Sequence, residues 1–192
     1  EKTEEELFLS LVAIYEGCGL FTKFKISKAT FAAFLTEIRR RYMDVPYHNF
    51  RHAVDVTQTV YCFLTQMGLS SVLSSTETLA LLTAALCHDV QHPGYNNAFL
   101  VTAHAPLAVM YSDKAVLENF HSAVAFAVLG RPRTNIFSNL SRKQYQATRQ
   151  AMIHMILATD MTCHFGMVES FKKLLNQHLS SVTAAPRRGR GK

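Results

Sequence analysis

No two of the four cysteines, Cys18, Cys62, Cys87 and Cys163, stand in a CxxC spacing, so the chain lacks the pattern of a zinc ribbon or a small disulfide framework. Free thiols in a reducing, cytoplasmic compartment are expected. A long apolar run is also missing: residues 79–87 are interrupted by Thr83 and fall well short of the roughly 20 residues that a membrane span needs. There is no glycine-rich phosphate loop, no internal repeat and no sustained alternation of apolar and polar residues, which leaves no candidate strand. The formal charge of +6 is concentrated at one end, since Arg187, Arg188, Arg190 and Lys192 supply four of those six charges. That arm lacks interleaved aromatics, so no nucleic acid partner is expected. The chain opens at Glu1 with an acidic amphipathic segment instead of a leader, and without methionine, which reads as a piece excised from a longer protein.

What is present is 48% hydrophobic residues over 192 positions, enough for one substantial core and too many for a disordered chain. Apolar residues at three-and-four spacing predict helices over residues 4–15, 27–41, about 47–67, 79–90, 96–102, 105–111, 117–129 and 141–178. Gly17 and Gly19, Asp44-Val45-Pro46, the serines at 70–75, His92-Pro93-Gly94 and residues 135–139 supply the breaks. The segment 79–90 is apolar on nearly every face and should lie at the centre of an all-α fold. The domain is expected to cover residues 1–179, with residues 180–192 a disordered basic tail.

Two clusters carry the chemistry: His48-Asn49-Phe50-Arg51-His52 and His88-Asp89-Val90-Gln91-His92. On a helix, residues four apart share a face, so each cluster is expected to aim two imidazoles at one point. Nitrogen donors beside a carboxylate suit Zn²⁺, Mn²⁺ or Fe²⁺ and can share a harder ion such as Mg²⁺. An ionised Asp89 at the end of an apolar run costs several kcal/mol unless it meets a cation or strong donors. His52, His88 and Asp89 are therefore candidate ligands, and a phosphate hydrolase is the natural expectation. His104, His154, His164 and His178 stand alone and read as ordinary core or surface residues. Asp55 could receive the His52 imidazole N–H or cap local backbone, and both readings stay open.

The runs 47–56 and 88–97, then Leu117-Glu118-Asn119-Phe120-His121 and Leu157-Ala158-Thr159-Asp160-Met161, resemble the catalytic domain of class I 3′,5′-cyclic nucleotide phosphodiesterases. Four motifs in the family order make the resemblance specific. It covers nearly all of residues 4–175, and residues 45–49 with 94–97 look closest to the high-affinity cyclic-GMP branch. The resemblance implies an HD-type all-α domain in which His48 is the general acid and His52, His88 and Asp89 bind zinc. Asp89 would bridge to a second ion, Mg²⁺ or Mn²⁺, and a metal-bridging hydroxide would convert cyclic GMP or cyclic AMP to the 5′-nucleoside monophosphate. His92, Glu118, His121 and Thr159 match positions that support the water shell of the second metal. Tyr47 and Met161 match pocket-lining positions, although each could equally be plain packing. The partners implied are the cyclic nucleotide substrate and a second copy of the chain in a homodimer.

The family domain is longer than this chain. Its second half supplies another aspartate ligand, a purine-gripping glutamine and a ring-clamping phenylalanine, none of which has a counterpart here. Gln91 also stands where an acidic residue is usual. A truncated domain is therefore expected, with impaired hydrolysis and an apolar patch left on residues 79–87 and 153–157. The alternative is a catalytically silent helical module that binds a partner.

Overall fold

The computed structural model describes residues 3–184, with side chains described as far as His178. It divides into two compact units, Glu1–Leu157 and Ala158–Lys192. Among the described residues there is no strand. The first unit holds α1 (Glu4–Gly17), α2 (Leu20–Phe24), α3 (Lys28–Arg39), α4 (Phe50–Gln66), α5 (Ser75–Cys87), α6 (Asn97–Thr102), α7 (Pro106–Met110), α8 (Val116–Leu129) and α9 (Arg142–Leu157). The second holds a 3-10 turn at Met161–Cys163 followed by α10 (His164–Ala184).

α5 is the axis of the first unit. The Ser74 side chain accepts from the Glu77 N–H while Glu77 reaches back to the Ser74 N–H, a capping box that fixes where the helix begins. Beyond it, Leu79, Leu82 and Leu86 are fully buried and α5 packs against both α4 and α9. Burial of each of these leucines contributes about 1.5–3 kcal/mol. Thr83 is the one polar group in the middle of the run. Its hydroxyl donates to the Leu79 carbonyl at 2.7 Å and accepts from the Tyr15 hydroxyl of α1 at 3.0 Å, so nothing polar is left unpaired. The same aromatic, with Phe31 and Phe34, forms the α1–α3 side of the core.

Three expectations are corrected. α4 begins only at Phe50, because the Asn49 side chain accepts from the Arg51 and His52 N–H groups and so acts as N-cap; His48 precedes the helix. α5 stops at Cys87, and Gln91 takes a left-handed conformation with φ 66°, so His92 lies in the turn beyond the helix. Neither histidine cluster therefore lies on one helix face. The helix expected over 141–178 is also interrupted, where Asp160 turns its carboxylate onto the Thr162 N–H and starts a 3-10 turn.

The apolar patch expected on α5 is absent, since α4 and α9 cover it and every residue of 79–87 except Leu81 is buried. Exposed apolar side chains lie elsewhere, among them Met67, Val72 and Val109 and, on α10, Phe165, Phe171 and Leu174, which are 80%, 66% and 65% exposed. α2 was not visible in the sequence pattern, being a five-residue turn between left-handed Gly19 and Lys25. α10 runs to Ala184, past the boundary expected at residue 180, and residues 185–192 lie outside the described residues. No single helix among the described residues is long and apolar enough to cross a membrane.

Candidate metal centre

The candidate ligands meet where α4 begins and α5 ends. His52 stands in the first turn of α4 and His88 caps α5, and their Nε2 atoms lie 3.2 Å apart although 36 residues separate them in the chain. Asp89 Oδ2 is 3.2 Å from His52 Nε2 and 3.0 Å from His88 Nε2, while its other oxygen faces His121 Nε2 at 3.8 Å. The carboxylate thus belongs to two groups of convergent donors, one with His52 and His88 and one with His92 and His121.

Backbone partners fix which ring nitrogen carries the proton. His88 Nδ1 lies 2.8 Å from the Ala85 carbonyl, and His121 Nδ1 lies 2.7 Å from the Val90 carbonyl. A carbonyl only accepts, so both Nδ1 atoms donate and, in the neutral rings, both Nε2 lone pairs point at Asp89. His92 is the opposite tautomer. Its Nδ1 accepts from the Gly94 N–H at 3.0 Å, which leaves its Nε2 as an N–H donor. His121 therefore offers a lone pair where His92 offers a proton, a pair suited to holding a water from both sides. His48 stacks on His92 with ring centroids 4.0 Å apart, and Tyr47 packs on both His48 and His52.

The cluster sets its own charge states. Burial works against the charged form of His88, but the hydrogen bond and charge of Asp89 outweigh it and raise the pKa above 6.5. Burial would likewise raise the Asp89 carboxyl, yet the His88 hydrogen bond and the neighbouring imidazoles hold it well below the usual carboxylate range. Desolvation pushes His92 and His121 down to about 4, with His48 adding to the effect on His92. His52 is lowered mainly by desolvation and then by His88, against the pull of Asp89 and Asp55.

Among the other predicted site residues, Glu118 is buried on α8, where its Oε2 accepts from Asn97 Nδ2 at 2.9 Å. Tyr47, 65% exposed, is no core residue, and it lines an open groove of about 570 Å³ with His52, Asp55 and Phe63. Thr159 and Met161 belong to the second unit, Thr159 in the turn after α9 and Met161, 67% exposed, opening the 3-10 turn.

Two supporting residues escaped the sequence reading. The buried Tyr42 hydroxyl donates to the Leu86 carbonyl at 3.0 Å and accepts from the Asp89 N–H at 3.3 Å, tying the end of α5 to the turn in which Asp89 sits. Asn97 holds Glu118 with its amide N–H while its oxygen accepts from the Leu117 N–H at 2.9 Å. Asn97 lay in a quoted motif; Tyr42 carried no signal beyond an aromatic before a break.

The family model described as 3′5′-cyclic nucleotide phosphodiesterase matches residues 47–188. The chain belongs to this family. This phosphodiesterase chain is 42% identical over 168 residues to the mouse high affinity cGMP-specific 3′,5′-cyclic phosphodiesterase 9A, which spans 88% of the chain and 32% of that protein. It is 39% identical to the 3′,5′-cyclic-nucleotide phosphodiesterase regA of Dictyostelium discoideum, over 91% of the chain and 22% of that protein. Among solved structures, the phosphodiesterase domain of a rhodopsin fusion protein from the choanoflagellate Salpingoeca rosetta superposes with a TM-score of 0.88 at 34% identity, covering 90% of this chain and 54% of that one. The chain thus spans about a third or less of these curated relatives and about half of the solved domain.

The phosphodiesterase donor set fits a metal ion. A tetrahedral ion bound at about 2.1 Å spaces its donors about 3.4 Å apart. His52 Nε2, His88 Nε2 and Asp89 Oδ2 lie 3.0–3.2 Å from one another, close to that spacing, so the three atoms could serve one cation together.

Proposed function

We propose that this chain is part of the catalytic domain of an enzyme that hydrolyses 3′,5′-cyclic nucleotides to 5′-nucleoside monophosphates. The observation that carries the reading is the convergence of two imidazole lone pairs and one carboxylate oxygen at the α4–α5 junction. His52, His88 and Asp89 would hold the first ion, Zn²⁺. Asp89 would also serve a second, Mg²⁺ or Mn²⁺, through its other oxygen. The ions supply Lewis acidity toward the phosphate and a nucleophile at neutral pH when bound.

The chain's own residues do the rest. His48, whose ring packs against Tyr47 and His92, would give its imidazole proton to the departing O3′. His92 donates from Nε2 and His121 accepts at Nε2, so the two orient water from opposite sides. Glu118, to which Asn97 donates, would support the water shell of the second ion. Tyr47 would line the pocket for the nucleotide. Two relatives differ in specificity, the mouse protein being cGMP-specific and the bovine calcium/calmodulin-dependent one of dual specificity, so both cyclic nucleotides are to be assayed.

The test is metal content by mass spectrometry together with cyclic GMP and cyclic AMP hydrolysis by purified Glu1 to Lys192 and by the longer protein containing it. His88→Ala should remove bound zinc from the chain and hydrolysis from the longer protein. Absence of metal in the chain, with no turnover by the longer protein, would overturn the reading.

A second reading, a silent module that engages a partner, draws on the exposed Phe165, Phe171 and Leu174 of α10. It predicts concentration-dependent association in sedimentation experiments that Phe171→Asp weakens; a strict monomer removes its support.

A further inference from the structure

A second cavity, of about 300 Å³, is lined by Thr36, Glu37, Arg40, Arg131, Arg133 and Thr134 and shares no residue with the metal centre. Its walls come from the end of α3 and from the turn that follows α8. That turn is pinned: the Thr134 hydroxyl donates to the Val128 carbonyl at 2.6 Å, its N–H donates to the Arg131 carbonyl at 3.0 Å, and Thr134 is only 2% exposed. Arg131 and Arg133 therefore project from a fixed backbone on either side of Pro132.

An ion-pair staple between α3 and the turn explains part of this arrangement. Glu37 Oε1 lies 3.5 Å from Arg40, and its Oε2 meets Arg41 and, at 3.4 Å, Arg131. The Arg41 hydrogen bond and these guanidinium charges hold the Glu37 carboxyl below the usual range. Arg40 also stands at the C-cap of α3, where a helix dipole favours a cation. The staple leaves Arg133 unexplained. It lines the cavity and makes no hydrogen bond or ion pair with any described residue. Three guanidiniums, Arg40, Arg41 and Arg131, thus share one carboxylate, and Arg133 adds a fourth on the wall of the same cavity, an excess of three positive charges. Their mutual repulsion is relieved by a multiply charged anion, and the planar fork of arginine matches the oxygens of a phosphate group.

We propose that this cavity binds a phosphate group, either free orthophosphate or the phosphomonoester of a nucleotide, through Arg133, Arg131 and Arg40. The site stands apart from the metal centre and does not depend on the hydrolytic reading.

Isothermal titration of the full chain with inorganic phosphate at constant ionic strength tests it. Arg133→Gln removes no contact that holds the fold and should weaken binding by at least about tenfold; Arg131→Gln/Arg133→Gln should abolish it. His88→Ala, which cripples the metal centre, should leave this binding unchanged. Titrations with a nucleoside 5′-monophosphate and with the bare nucleoside separate the two sources: tighter binding of the monophosphate than of orthophosphate assigns the nucleotide, equal binding assigns the phosphate alone, and in both cases the nucleoside stays silent. Phosphate affinity unaltered by Arg133→Gln, or lost with His88→Ala, or absent altogether, overturns the proposal.

Discussion

At the scale of single residues, the candidate site rests on backbone carbonyls and two polar side chains as much as on its ligands. Tyr42 is the sharpest case, because one hydroxyl serves both the Leu86 carbonyl and the Asp89 N–H. Tyr42→Phe should cost about 1–3 kcal/mol in urea unfolding by leaving buried groups unpaired, and should weaken metal binding by freeing Asp89; unchanged metal affinity would show that Asp89 is held otherwise. Asn97→Ala removes one hydrogen bond from the buried Glu118 carboxylate, and the expected result is a raised requirement for Mg²⁺ or Mn²⁺ in the hydrolysis assay with the content of the first metal unaltered. Protons compete with the metal at His88, whose pKa is raised by Asp89. Apparent metal affinity should therefore climb as pH rises above 6.5, with proton release visible to an indicator dye, and a profile that is already flat at 6.5 would contradict the raised pKa. His52, His88 and Asp89 were legible in the sequence as ligand types at suggestive spacing. Their geometry was not, because Asn49 delays α4 past His48 and Gln91 carries His92 off the end of α5. The pairing that matters spans 36 residues, and no local period reports it.

Among the elements, the existence of the helices was more readable than their limits. The Ser74–Glu77 capping box starts α5 at Ser75, inside the stretch of serines that reads as a break, and the chain beyond Cys87 turns through a left-handed residue, Gln91, that sequence periodicity does not mark. The break at Asp160 was hidden for a related reason: apolar spacing continues through it, and only the carboxylate contact to the Thr162 N–H shows the chain turning. The central position of α5 followed directly from its lack of a polar face. Ser74→Ala should cost about 1 kcal/mol by removing the cap, and Leu82→Ala about 2–5 kcal/mol by opening a cavity, both readable in chemical denaturation. A Leu82→Ala loss no greater than that of Ser74→Ala would mean that α5 is not the axis of the core.

For the molecule as a whole, acid is the condition that separates site from scaffold. His92 and His121 are depressed to about 4 against an ordinary 6.5, so between those values the unfolded chain binds more protons than the folded one. The stability of the metal-free chain is therefore intact above about 6.5 and declines as pH falls toward 4, by about 3 kcal/mol for the deeply buried His121. Urea midpoints measured in chelator at pH 7 and 4.5 check this, and equal midpoints would refute it. The chain places α4 and α5 side by side through apolar packing, but at the junction it sets His52, His88 and Asp89 lone pair to lone pair. An ion there is a covalent-like clasp on a 36-residue loop that includes most of both helices. Because the unfolded chain cannot assemble that clasp, occupancy adds to folding free energy, about 2.7 kcal/mol at a hundredfold excess over the dissociation constant. The protein's lifetime against proteolysis would then track the free metal ion around it, so that scarcity of the ion removes the molecule itself.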